Sequence, residues 1–255
     1  MLYINLPEEA RSGADELVVL FVPRDGYKFT ENTDVITDND ILVDVDIKAR
    51  GKGYEVRAVL FGENKILYSE KAYIDEENEC CSVKTQAKVL LHNCLSYYTG
   101  KKLPWGSLTG IRPSKIVHAL MNHGATPDDA FRKLVDFYKL SENKARLTVE
   151  VALNELKFVR DAEKKVSIYI GIPFCTSRCV YCSFPSIGMD KFSHLVSDYL
   201  EALCREVKWT AKWLNDRNIE IDTVYIGGGT PTAINGDQLD YLLNYIVQLL
   251  PLNNI

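Results

Sequence analysis

The sequence lacks any apolar run approaching the roughly 18 residues that a membrane-spanning helix requires, so no stretch reads as a transmembrane segment. A secretory start is missing as well: the opening residues MLYINLPEEARSGAD show no basic stretch followed by an apolar core and a small-residue cleavage site. Clustered positive charge is absent. The formal net charge is -5 with a pI near 5.5, and the Lys101-Lys102 pair reads as solvated loop, which argues against non-specific nucleic-acid binding. The seven cysteines are odd in number and unevenly spaced, which excludes a simple disulfide framework and suits reduced thiols in the cytoplasm. There is no internal repeat or low-complexity tract. What remains is ordinary folded protein, 46% apolar and 25% charged over 255 residues, enough for one large domain or two of common size.

The hydrophobic pattern divides this length into three stretches. Residues 1-78 read as a β-rich region, with extended segments at Leu17 to Pro23, Ile41, Tyr54 and Lys65. The second alternates with mild interruptions around Leu42, Val45 and Ile47, and Gly51 to Gly53 (GKG) signals the turn to the next strand of a small antiparallel meander. Residues 79-164 read as helical. Ala87, Leu90, Leu91, Cys94, Leu95 and Tyr98 recur at spacings of three and four before Gly100. A helix with Pro113 in its first turn is expected to run towards Met121, and further helices are expected after Thr126-Pro127 and after Ser141-Glu142, the last reaching about Lys164. Residues 165-255 read as strand, loop, long helix, strand, Gly-rich loop, helix. The long helix carries Phe192, Leu195, Val196, Tyr199, Leu200, Leu203, Val207, Thr210 and Leu214 on one side, with Asp190 as its N-cap. Its following strand from Ile221 has the apolar run of a strand buried in a parallel sheet. The last helix presents Leu239, Leu242, Leu243, Ile246 and Leu250. The expected fold class is α/β, an α+β N-terminal region followed by βαβα. Two strands cannot close a barrel, so later strands are expected beyond Ile255.

Cys175, Cys179 and Cys182, spaced C-x3-C-x2-C after the first of those strands, are the metal-ligand candidates. Three thiolates suit an iron–sulfur cube with one iron left open to another ligand. Structural zinc is the rival reading, but it takes four protein ligands. His194, in the following helix, is a poor fourth. Cys94 and Cys204 fall on apolar helical faces and read as core residues, and the adjacent Cys80 and Cys81 cannot readily serve one metal together. The second motif, GGGTPT from Gly227 to Thr232, follows the second strand and lets backbone amides approach a charged ligand closely, or makes a tight strand-to-helix turn and nothing more. Because parallel β/α proteins gather chemistry at the carboxyl ends of their strands, the two loops are expected on one rim.

The cysteine spacing resembles that of the radical SAM enzymes, and GGGTPT in this position resembles the coproporphyrinogen dehydrogenase family. YIGIPFC from Tyr169 to Cys175 is similar to that family's Y-x-H-x-P-F-C. LPWGSLTGIRP from Leu103 together with GIPFC most resembles the HemZ sub-branch. The resemblance implies the start of a partial (βα)6 barrel, a [4Fe-4S] cluster on Cys175, Cys179 and Cys182, and S-adenosyl-L-methionine as cofactor. It implies that Tyr169 lies beside the sulfonium, that Tyr181 contacts the adenine, and that Gly228, Gly229 and Thr230 line the methionine end. The implied activity is oxygen-independent oxidative decarboxylation of coproporphyrinogen III to protoporphyrinogen IX, with a porphyrinogen substrate and a reduced electron donor such as a flavodoxin. As it stands, this chain is expected to display its cysteines but to turn over poorly. No catalytic side chain is singled out, and Arg112 and Arg178 are candidates for substrate carboxylates or plain surface arginines.

Two departures bear on the substrate. Gly171 stands where the family has histidine, and Ser183-Phe184 follow the third cysteine where the oxidase has Gly-Cys. Phenylalanine there is also seen in the haem-chaperone branch. Haem binding or delivery without decarboxylation is therefore the alternative, and a third reading is that the N-terminal residues form a protein-binding module.

Overall fold

Alternating apolar residues, Val43 and Val45 on one strand and Val56, Ala58 and Leu60 on the next, bury one face of a sheet in the N-terminal half. These strands are β3 (Ile41–Arg50) and β4 (Gly53–Gly62), paired antiparallel from Ile41 opposite Gly62 to Arg50 opposite Gly53. Gly51, at φ 62°, opens the two-residue loop between them, as the GKG signal anticipated. β5 (Lys65–Asp75) pairs antiparallel with β4. On the other side, β1 (Leu2–Asn5) joins β3 in parallel and β2 (Tyr27–Phe29) joins β1 in parallel, giving the order β2-β1-β3-β4-β5. The structure is a computed structural model that describes residues 1–32, 37, 39–63, 65–75, 82–158 and 165–252. It comprises two units, Met1–Phe158 and Val159–Ile255. The expected divisions at 78/79 and 164/165 fall among or beside residues outside the described ones, as do Cys80 and Cys81.

Leu17 to Pro23 is not extended. Most of it lies in helix α2 (Ala14–Phe21), which follows the short helix α1 (Glu8–Arg11). Leu17, Val18 and Phe21 are buried whereas Leu20 is 49% exposed, a helical face rather than a strand alternation. A short apolar run cannot by its periodicity distinguish a strand from a buried helix. Topology decides here, because β1 and β2 are parallel and parallel neighbours need a crossover, which α1 and α2 supply.

Helix α3 (Val83–Thr99) starts on Ser82, whose side chain accepts from the Thr85 N–H, and stops at Gly100 with φ 67°. Ala87, Leu90, Leu91, Cys94 and Leu95 on α3 share a core with the sheet, while Tyr98 stays exposed. A second cluster around Val117, Leu134, Ala145 and Val149 joins α4 (Ser114–Asn122), α5 (Pro127–Arg132), a π turn at Lys133–Phe137 and α6 (Glu142–Glu155). Pro113 immediately precedes α4 rather than occupying its first turn. Thr126 and Asp129 cap α5 reciprocally.

In the second unit, β6 (Lys165–Ile172) pairs in parallel with β9 (Glu220–Gly228). Between them lie β7 (Phe174–Cys175), β8 (Ile187–Gly188), α7 (Met189–Phe192), a 3-10 turn at Ser193–Leu195 and α8 (Val196–Arg217). α9 (Gly236–Leu249) follows, capped reciprocally by Asn235 and Gln238. Asp190 is not the N-cap of the long helix: it sits inside α7, and the two short turns redirect the chain before α8 begins at Val196. Phe192 and Leu195 are accordingly exposed, while Val196, Leu200, Leu203, Val207 and Leu214 are buried. β9 is not buried along its length. Ile221 is buried and Val224 and Ile226 pack on the core, but Thr223 and Tyr225 face outward, since the apolar cluster that includes α8 and α9 takes up only one face of the strand. The fold is α/β, with a mixed sheet in one unit and two parallel strand pairs, β6–β9 and β7–β8, in the other. Among the described residues no helix is long and apolar enough to cross a membrane.

The helical face of α2 makes a direct prediction. Leu17→Ala is expected to cost about 2–5 kcal/mol in urea unfolding and Leu20→Ala about 0.5 kcal/mol or less. Similar losses at both positions would contradict a helix there.

Candidate active site

Two loops meet at the carboxyl ends of β6 and β9. β6 runs through Pro173 into β7, which pairs with β8 so that Phe174 lies opposite Ile187 and Cys175 opposite Gly188. The Ile187 N–H also bonds the Pro173 carbonyl at 2.8 Å. Residues 176–186 therefore form an excursion whose two ends are tied together. The Gly-rich segment after β9 docks on the near end: the Gly229 N–H donates to the Ile172 carbonyl and the Thr230 N–H to the Phe174 carbonyl, both at 2.8 Å. Topology had anticipated that the two loops share a rim, and they are hydrogen-bonded to each other.

Glycine is needed where they touch. Gly228 has φ 108°, and a Cβ there would lie 2.7 Å from the Ile172 carbonyl oxygen. At Gly229 a Cβ would lie 2.8 Å from the Cys175 sulfur and 2.8 Å from the Phe174 carbonyl oxygen. The Thr230 hydroxyl donates to Cys175 Sγ at 3.5 Å. Cys175 is thus gripped by the Gly-rich loop and buried. Cys182 is half-buried and Cys179 exposed, joined by a Cys182 N–H to Cys179 carbonyl bond of 3.0 Å. Among the described residues no three His, Cys, Asp or Glu side chains are grouped to hold a metal ion, so a shared metal group requires the three thiols to draw together. The donor set itself, three thiols on one tethered loop, is chemically suited to an iron–sulfur group.

Tyr169 and Tyr225, opposite each other on β6 and β9, stack with ring centroids 5.8 Å apart at 19°. They line a cavity of about 670 Å3 with Gly171, Phe184, Tyr199 and Gly228 among its walls. No charged side chain lines it, so its recognition chemistry is aromatic stacking and backbone polarity. The Tyr199 hydroxyl, on α8, donates to the Gly171 carbonyl, and burial raises the Tyr199 pKa. Tyr181 stands apart, 86% exposed on the excursion. Interaction with the Cys179 thiol beside it raises the tyrosine pKa. The structure therefore brings Tyr169, Gly228, Gly229, Thr230 and Cys175 together and leaves Tyr181, Cys179 and Cys182 on the open loop. Arg178 is absent from the cavity walls, and Arg112 belongs to the other unit. Tyr225 and Tyr199 were missed from the sequence. A signal for Tyr225 was present: the tripeptide YIG occurs at Tyr169 and again at Tyr225, one copy on each paired strand.

Gly229→Ala is expected to lower stability by about 1–3 kcal/mol, read as a lower thermal midpoint, and to speed native alkylation of Cys175. Cys94 serves as an internal reference, because burial pushes its thiol up to about 12 and should keep it unlabelled. An unchanged midpoint with unchanged Cys175 labelling would remove the steric argument.

No family model and no solved structure matches the chain. Curated relatives do. The oxygen-independent coproporphyrinogen-III oxidase-like protein HemZ of Bacillus subtilis is 35% identical over 172 residues, 66% of this chain and 34% of that protein. The heme chaperone HemW of Buchnera aphidicola is 38% identical over 81 residues, 32% of this chain and 21% of its own length. The oxygen-independent coproporphyrinogen III oxidase of Salmonella typhimurium is 33% identical over 87 residues, 34% of this chain and 18% of that enzyme. The chain thus spans about a third of the first relative and about a fifth of the others. At 33–38% identity, these relatives support a HemZ-like radical SAM family for this chain, alongside HemW and oxygen-independent coproporphyrinogen III oxidase.

Proposed function

We propose that this chain carries the cofactor end of a cytoplasmic radical SAM oxidoreductase of haem metabolism. In this reading residues 165-255 begin a partial (βα)6 barrel, behind a β-rich region at 1-78 and a helical segment at 79-164. Cys175, Cys179 and Cys182 hold a [4Fe-4S] cluster, and Tyr169, Tyr181, Gly228, Gly229 and Thr230 hold S-adenosyl-L-methionine. The observation that carries the reading is the contact of the two loops, where Gly229 leaves room only for the Cys175 sulfur and Thr230 donates to it. Bound together, cluster and cofactor supply reductive cleavage of the sulfonium and hydrogen abstraction from substrate. The chain's own part is placement. The Cys175 sulfur is fixed by Thr230 and by the β7–β8 tether, while Cys179 and Cys182 close on it from the excursion. The stacked Tyr169 and Tyr225 rings and Phe184 give flat aromatic walls at the strand ends, against which a planar group can stack. A coproporphyrinogen substrate, decarboxylated oxidatively with electrons from a flavodoxin-like donor, is the activity this family relationship favours.

The haem-delivery reading has its own observation. A Cβ at Gly171 would have Tyr169 as its nearest neighbour at an ordinary 3.6 Å, so packing does not impose glycine where the oxidase pattern has histidine. The missing imidazole is thus a chemical departure.

Anaerobic reconstitution with iron and sulfide is expected to load about four irons per chain, with an S-adenosylmethionine-dependent change in the reduced spin signal. Cys175→Ala, Cys179→Ala and Cys182→Ala should each lose it and Cys94→Ala should keep it. Full loading of all three loop variants would overturn the cluster assignment. In the full-length protein, cofactor cleavage without carbon dioxide release from coproporphyrinogen, together with stoichiometric haem binding, would decide for delivery.

A further inference from the structure

The N-terminal unit contains a cavity of about 390 Å3 that shares no residue with the site above. It lies where the start of α2, the first half of α3 and the Ser107 to Ile111 part of the LPWGSLTGIRP stretch come together. Lys84 and Lys88, one turn apart on α3, both line it. Lys88 is half-buried and held in place, its Nζ donating to the Thr109 hydroxyl at 2.5 Å. Thr109 in turn approaches the Glu16 carboxylate at 3.4 Å, and Glu16 packs against Gly110.

The charges do not balance. Glu16 is the one acid on the walls, against two lysines, and among the described residues neither lysine has a carboxylate within 4.0 Å. Burial, the largest effect, lowers the Lys88 pKa; Glu16 opposes this and the like charge of Lys84 adds to it. A half-buried ammonium facing a second one is costly unless an anion joins them. Neutral donors are available beside them. Ser12 lies on the wall, and α2 begins just after Gly13, at Ala14, with no side chain capping its first N–H groups. Leu108, Ile111 and Ile116 form an apolar part of the wall, beside Thr85, Ser107 and Tyr138.

We propose that this cavity binds a small molecule with an oxyanion head, phosphate or carboxylate, and a short apolar body. Lys84 and Lys88 are the charge partners, Ser12 and the α2 amides the neutral donors, and the apolar wall takes the body. This is independent of the radical SAM reading.

The test is calorimetric titration of the whole 255-residue chain at constant ionic strength with inorganic phosphate, phenyl phosphate and benzoate. Saturable binding of phenyl phosphate, weakened about tenfold or more in Lys88→Met and unchanged in Lys115→Met, is the expected result for a phosphate head. The same pattern with benzoate alone assigns a carboxylate. If Lys88→Met fails to fold, two measurements decide instead: Thr109→Val should weaken binding, and the ligand should slow acetylation of Lys88 in the unaltered protein, read by mass spectrometry. Absence of saturable binding by all three probes, or equal loss in Lys115→Met, overturns the proposal.

Discussion

The second unit depends on one close approach: the backbone of Gly228 and Gly229 lies against Ile172, Phe174 and Cys175 with no room for a β-carbon. Two amide hydrogen bonds hold the contact, and both begin in the Gly-rich loop and end on the strand that leads to the cysteines. Through it, the position of the first thiol is fixed by a segment more than fifty residues away, and the stacked tyrosines of β6 and β9 are held in register below it. A side chain at either glycine would part the strand ends and open the cavity between them.

The same contact explains an asymmetry among the cysteines. Cys175 belongs to the β7–β8 ladder and receives the Thr230 hydroxyl, so its place follows from the sheet. Cys179 and Cys182 sit on a loop whose internal order is a single backbone bond between them. Convergence of three thiols is costly without a cation to share, since their lone pairs and partial charges repel. In the proposed cluster site the inner thiol is therefore preset by the sheet, and the outer two have to move toward it.

The two units differ in the chemistry they present. The walls around Tyr169 and Tyr225 are aromatic, prolyl and glycyl, without a charged side chain, and favour flat apolar surfaces and backbone hydrogen bonding. The N-terminal cavity carries two lysines and a glutamate held against glycine and threonine. The LPWGSLTGIRP stretch, distinctive in sequence but without chemistry of its own there, gains a structural meaning in that cavity: Gly106 turns at φ 54° against the Tyr138 carbonyl, and Thr109 orients Lys88.

By itself the sequence determined what depends on neighbours along the chain. The Gly100 limit of α3, the start of α5 after Thr126, the β3–β4 turn at Gly51, and the pairing of a three-cysteine loop with a Gly-rich turn are local chemistry, legible from spacing and side-chain type. Tertiary structure alone decided matters in which distant segments compete for the same surface. Leu17 to Phe21 became helix because a parallel β1–β2 pair needs a crossover, and β9 kept Tyr225 outward because helices cover only one of its faces. The exposure of Tyr181 and the burial of Cys175, six residues apart, follow from a β7–β8 tether whose far strand lies beyond the motif. Periodicity reports which residues share a face, but what that face meets is settled only when the chain closes on itself.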